Sequence, residues 1–294
     1  MKNFRARLAR VSIATIGVMP LGVSQGIGSF LGRLSWLFKD RGARVTLDNL
    51  HFCFPELGKQ ERAALAKKSL RETYKVAGES FIVWQRGPEW ALKRTLKIHN
   101  EEVLKSAVKH GRGVVVAVPH FGNWEFLGAH LDHYAPTTAM YQPPKKPWLE
   151  KLVKEKRESL KMRLVPTNAR GVAAQLKALK EGGIVAILPD QVPAEESGIY
   201  SPFLGMQAYS MTLIHGFVQR TGCKVIMGAA KRVKEGFEVH YFEADPDIYA
   251  EDQQRSVDAL NRSIASVIAI AREQYQWEYK RFKKQPNGIN PYSA

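Results

Sequence analysis

Two stretches of the chain, "VVVAVP" at 114–119 and "IVAILP" at 184–189, are unbroken apolar runs closed by proline. Each follows a glycine turn, Gly111-Arg112-Gly113 before the first and Gly182-Gly183 before the second. Runs this short and rich in Val and Ile read as strands, and without polar alternation they read as strands buried on both faces. Such strands belong to parallel sheets covered by helices. The segments around them have helical spacing: 59–85, 124–134, 172–180, 211–220 and 252–275, with a strongly basic helix at 146–163. "CKVIMGAAKRV" (223–233) and "GFEVHYFEA" (236–244) add strands, and "SGIYSPFLG" (197–205) reads as a loop. The expected fold is therefore α/β, a mostly parallel central sheet flanked by helices. Cys53 and Cys223 form neither a disulfide framework nor a zinc-spacing motif.

The N-terminus has a different character. Lys2, Arg5, Arg7 and Arg10 precede a stretch, 11–32, without a charged residue before Arg33. Its length approaches that of a membrane span, but it contains Pro20, several glycines, Ser24 and Gln25. The favoured reading is a retained anchor helix, spanning or lying in the interface, with its basic flank on the cytoplasmic side. A signal peptide and a helix buried in the body are the alternatives. The expected division is 1–37 as anchor and 38–294 as the catalytic body. "GVSQG" at 22–26 matches a hydrolase nucleophile pattern but lacks the strand before Ser24 that the chemistry requires. The Gly22/Gly26 and Gly28/Gly32 spacings read as a poorly helical, flexible stretch.

The first apolar run ends at His120, and Glu125 follows five residues later. On one continuous helix, residues five apart diverge by about 140°. With Asn123 as N-cap, His120 lies in the turn and Glu125 in the first helical turn, and Gly122 lets that turn close. The glutamate can then reach back to one imidazole nitrogen and make the other a general base. The helix N-terminus beside it suits an oxyanion or a phosphate. The plainer alternative is a core-edge histidine and a glutamate that complements the helix dipole. His130, Asp132 and His133 have no metal-ligand spacing and read as polar residues at a helix end, so no metal is expected. Asp190 and Gln191 follow the second run, where they either contact substrate or steady the turn. Trp277, Arg281 and Lys283 read as packing the terminal segment near a membrane, with a headgroup contact by Arg281 as the sharper option.

"HFGNWE" (120–125) resembles the histidine–four residues–acid signature of glycerolipid-type acyltransferases. More closely, it resembles the lipid A biosynthesis acyltransferases that add secondary lauroyl or myristoyl chains. The likeness runs through "RVTLDNLHFCFPEL" (44–57), "GES" (78–80), "YQPPKKPWLEKLV" (141–153), "LKEGGIVAILPDQ" (179–191), "GIYSPFLG" (198–205) and "REQYQWEYKRFKKQP" (272–286). It implies transfer of an acyl chain from acyl carrier protein, or coenzyme A, to a hydroxyl of a lipid A precursor at the cytoplasmic face of an inner membrane. No cofactor is required. His120 is then the base and Glu125 its orienter, with Asn123, Arg170, Asp190 and Gln191 as substrate-contacting residues. Arg170 is the candidate for anion stabilisation. Gln142 departs from the family's arginine in its loop, which leaves room for another amino- or hydroxy-lipid acceptor. The net charge of +16 suits an acidic carrier protein and anionic lipid. The basic run from Lys145 to Arg163 reads equally as a docking face or as plain surface. No nucleic-acid-binding motif accompanies the charge, so no nucleic-acid partner is expected. A thioesterase using the same base on water is the remaining alternative.

Overall fold

The computed structural model of the chain describes residues 11, 13–141 and 162–293. Seven strands form one sheet: β1 (Thr95–His99), β2 (Val114–Ala117), β3 (Thr137–Tyr141), β4 (Arg163–Pro166), β5 (Ile184–Ile187), β8 (Lys224–Val233) and β9 (Gly236–Glu243). Their spatial order is β1-β9-β8-β2-β5-β3-β4. Every neighbouring pair is parallel except β8–β9, which is antiparallel. Alternate residues of the apolar runs serve opposite cores. Val115, Ala117, Val185 and Ile187 pack with Phe217, Leu260, Ile264 and Trp277 on one face. Val114, Val116, Ile184 and Ala186 pack with Ile82, Val83, Phe126 and Leu127 on the other. Both faces are covered, as the uninterrupted runs require.

Among the described residues, residues 13–18 are helical, and the helices that follow are α1 (Leu21–Phe38), α2 (Arg41–Cys53), α3 (Lys59–Arg94), α4 (Glu101–Lys109), α5 (Trp124–Leu131), α6 (Ala169–Lys180), α7 (Leu213–Thr221) and α8 (Gln253–Ala269). The expected helix over 59–85 runs on to Arg94, through a kink at Gly87 where Pro88 follows.

Several expectations are corrected. No described helix is long and apolar enough to cross a membrane, so a spanning anchor over 11–32 is not supported. Pro20 breaks the segment, and α1 lies along α3 instead. Its buried stripe is Leu21, Ser24, Gly28, Gly32 and Ser35. A Cβ on Gly28 would stand 2.7 Å from the backbone of Lys75, and one on Gly32 would stand 2.6 Å from that of Arg71. These glycines thus serve close helix packing rather than flexibility. The opposite face of α1 leaves Val23, Ile27, Phe30, Leu31, Leu37 and Phe38 exposed.

"SGIYSPFLG" is not a loop. Its residues form β6 (Gly198–Phe203), which pairs antiparallel with β7 (Met206–Met211) through a two-residue turn, Leu204-Gly205. Both turn residues have positive φ, the geometry that matches strand twist, but leucine in place of the usual Asn hid it. The last helix ends at Ala269 rather than Tyr275, because the following residues pass beneath the turn that carries His120. Arg163 begins β4 rather than ending a helix, while Gln142 and residues 145–161 lie outside the described residues. Arg281 is buried and donates to the Tyr209 carbonyl (2.6 Å) and the Ser210 Oγ (2.7 Å), so it pins the hairpin and does not face a headgroup.

Candidate active site

β2 and β5 are parallel and in register, Ala117 opposite Ile187, so their carboxyl ends deliver His120 and Asp190 side by side. Asp190 grips His120 twice. Its Oδ2 accepts from the His120 backbone N–H at 2.9 Å and its Oδ1 lies 2.8 Å from Nδ1. Burial pushes the Asp190 carboxyl up, but His120 and the backbone donors outweigh it and hold the group below the usual carboxylate range. An ionised carboxylate only accepts, so Nδ1 carries the proton, and in the neutral ring the lone pair is then on Nε2. Tyr275 lies buried beside this pair, and burial first, then the charge of Asp190, keeps its hydroxyl protonated. Nε2 lies 3.2 Å from the Gln191 Nε2, and the same amide donates to the Gln276 Oε1 at 3.2 Å. Trp124 packs edge-on against the imidazole at a centroid distance of 4.8 Å.

The carboxylate expected to orient His120 was Glu125, and that pairing is corrected. Asp190, 70 residues away in the chain, holds the imidazole, while the Glu125 Oε2 accepts from Trp84 Nε1 at 2.9 Å. Both His120 and Glu125 nevertheless line one cavity of about 430 Å³. Its walls are mainly apolar, with Val118, Leu131, Met140, Met162, Leu164 and Leu188 among them, and Gln191 stands beside the imidazole. Gln175 borders it too, wholly buried, with neither amide atom hydrogen-bonded among the described residues. An imidazole base at the edge of an apolar cavity of this size can present a hydroxyl to the carbonyl of a bound acyl chain.

Asn123 and Arg170 are not brought to the cavity. Asn123 is fully buried; its Oδ1 caps α5 by accepting from the Phe126 N–H at 2.9 Å. Its Nδ2 donates to Glu79 Oε2 at 3.1 Å. Arg170 is exposed in the first turn of α6. His130, expected at the surface, is a core residue whose Nδ1 lies 3.0 Å from the Tyr241 hydroxyl, and burial pushes its pKa down to about 4.

What sequence reasoning missed is the support beneath the turn. Arg232 of β8 is buried, pairs with Glu79 and Glu72 of α3, and reaches the Gly122 carbonyl at 3.5 Å. Glu79 in turn accepts from Asn123 and from Gln25 of α1. Burial pulls the Arg232 pKa down, but the two glutamates outweigh it and keep the guanidinium charged. Gly122 has φ +57°, and a Cβ there would stand 1.9 Å from the Ala230 carbonyl oxygen. The residues after α8 complete the cradle: Gly122 N–H donates to the Gln274 carbonyl and Gln276 N–H to the His120 carbonyl. The available signals were Arg232, at the end of the apolar run 225–230, and Glu79 within "GES".

The parallel sheet, the carboxylate-held imidazole at its strand ends and the apolar cavity define an α/β enzyme laid out for acyl transfer. The chain belongs to the bacterial lipid A biosynthesis acyltransferases, whose family model matches residues 5–284, and it is an acyltransferase. It is similar to the lipid A biosynthesis lauroyltransferase of Escherichia coli (strain K12), at 24% identity over 92% of this chain and 89% of that protein. The palmitoleoyltransferase of the same organism matches at 24% over 92% and 88%. Its lipid A myristoyltransferase matches at 22% over 99% and 93%.

Proposed function

We propose that the protein moves a fatty acyl chain from a thioester, carried by acyl carrier protein, to a hydroxyl of a lipid A precursor. The observation that carries this reading is the Asp190-held imidazole bordering an apolar cavity in a chain of this family. His120 Nε2 takes the proton of the acceptor hydroxyl as its oxygen attacks the thioester carbonyl. The tetrahedral oxyanion collapses, the C–S bond breaks, and the imidazolium returns the proton to the leaving sulfur, which departs as the thiol and restores the base. No covalent enzyme intermediate and no cofactor is needed. The Gln191 amide, beside Nε2, is placed to donate to the oxyanion once the acceptor displaces it from the ring. Glu125 positions the acceptor from the same cavity wall. Arg170, exposed three residues beyond the cavity-lining Thr167, is left for headgroup phosphate at the rim.

Attachment to the cytoplasmic face of the inner membrane is part of this proposal. The exposed row on α1, with Ile27, Phe30, Leu31, Leu37 and Phe38, supports a helix lying in the interface rather than crossing it. The net charge of +16 supports both an acidic carrier protein and anionic lipid. Product analysis tests the reading: acyl carrier protein thioester is supplied with and without a lipid A precursor. Acylated lipid only when the precursor is present is expected. Free fatty acid at the same rate in both reactions would reassign the protein as a thioesterase, and acylation of a different lipid alone would reassign the acceptor.

A further inference from the structure

A second group of chemistry-bearing side chains lies three strands from β2, at the β1 edge of the sheet. His99 of β1 stands opposite His240 of β9 in the parallel ladder, and Glu238 lies two residues before His240, on the same face of β9. The two imidazoles stack at a centroid distance of 4.1 Å, with planes 6° apart. Both present their Nε2 atoms to a single carboxylate oxygen, Glu238 Oε2, at 3.5 Å from His99 and 3.6 Å from His240.

Among the described residues neither Nε2 has a hydrogen-bond partner, although both are shielded from water. His240 as a whole is 8% exposed. Buried polar atoms in native proteins are rarely left in this state, so the two nitrogens call for a partner. The three ligand atoms lie within 4.8 Å of one another. The point equidistant from them is about 2.4 Å from each at that widest spacing, against roughly 2.0–2.2 Å for zinc to imidazole nitrogen or carboxylate oxygen.

We propose that His99, Glu238 and His240 form a binding site for a divalent transition-metal ion of the zinc type. Two imidazoles and one carboxylate are a donor set that suits such ions and leaves a fourth position for water. Binding draws the three atoms together by a few tenths of an ångström and pivots the now parallel rings so that both lone pairs converge. Lys231 is the competing cation, with its Nζ 3.6 Å from the same Glu238 oxygen, and the metal displaces it. Among the described residues β1 is an edge strand that pairs only with β9, and its register shifts between Thr95 and Lys97. An ion shared by His99 and the two β9 residues fastens that edge, a structural role independent of the acyl-transfer chemistry.

The test uses the full-length protein without tag histidines, stripped with a chelator and titrated with zinc chloride by isothermal calorimetry. One equivalent per chain is expected, with an accompanying rise in Tm. His99→Ala and Glu238→Gln alter partly exposed side chains and should each weaken binding at least about tenfold while keeping the metal-free Tm. Lys231→Met removes the competing ammonium and should tighten binding. The proposal is overturned if the wild type shows no saturable binding below roughly 100 µM, or if the three variants bind zinc as the wild type does.

Discussion

Asp190→Asn changes one atom at the centre of the site. In the wild type the carboxylate accepts twice, from Nδ1–H and from the His120 backbone N–H. An asparagine offers one acceptor and one donor in the same place. If its amide nitrogen faces the backbone N–H, two donors oppose each other in a buried pocket, which costs about 1–3 kcal/mol. If its oxygen faces the backbone, the amide nitrogen donates to Nδ1 and the proton moves to Nε2. The second arrangement satisfies every group, so it prevails, and the nitrogen on the cavity side then carries a proton and cannot act as base. The equivalent loss in a Ser-His-Asp triad is about 10⁴-fold in kcat, and a fall of about 10³–10⁴-fold is expected here. KM should change little, because the cavity walls are untouched. The assay is steady-state acyl transfer, with circular dichroism and Tm to show that the variant is folded. A folded Asp190→Asn protein with kcat within about fivefold of wild type would refute the reasoning, since that is far less than the tautomer argument demands. The variant also carries a pH signature. The depressed pKa of Asp190 means that its contribution to stability is present above the unfolded value near 3.9 and is lost as pH falls through the lower folded value. Asp190→Asn should remove that part of the acid-unfolding limb and leave the neutral limb alone.

Arg232→Met leaves Glu79 buried without its cation and should destabilise by about 3–5 kcal/mol in urea unfolding; a loss under about 1 kcal/mol, the size of an exposed pair, would show that the network beneath the turn is dispensable. Gln175→Met replaces two unpaired buried amide atoms by an apolar side chain of similar length, and Tm should hold or rise, whereas a fall of several degrees would mean the amide has partners in solution. Ile27→Glu with Phe30→Glu, both on the exposed face of α1, should abolish sedimentation with anionic vesicles at unchanged Tm. Undiminished vesicle binding would place the membrane contact elsewhere.

The strands that could be read in advance were those whose composition carries the signal alone. β2 and β5 are apolar throughout because both faces are buried, and β8 and β9 are long. β1, β3 and β4 are short; "TLKIH" and "RLVP" are partly exposed, and their strand state follows from their neighbours in the sheet. The site divided in the same way. His120 at the end of an apolar run, and Asp190 at the end of the other, were both visible as strand-end residues. Their pairing was not, because it depends on the relative register of β2 and β5, which no local spacing encodes. Glu125, five residues away, was the nearer acid in the chain and took the role in its place. Asn123 was correctly read as an N-cap, but its second bond, to Glu79, comes from a helix more than 40 residues earlier. The N-terminal stretch looked like an anchor because it lacks charge. Ser24, Gly28 and Gly32 in fact face α3, while Val23, Ile27, Phe30 and Leu31 face outward.

The claim that an Asp190-held imidazole is the base of acyl transfer is tested most directly with His120→Ala. Wild type and variant, each confirmed as folded, are incubated with acyl carrier protein thioester and a lipid A precursor in mixed micelles, and the acylated lipid is quantified by mass spectrometry. The account predicts a fall in turnover of at least about 10³-fold, the upper range for removing a general base. Turnover within about tenfold of wild type would contradict it and would pass the role of base to another group on the cavity wall, Glu125 first.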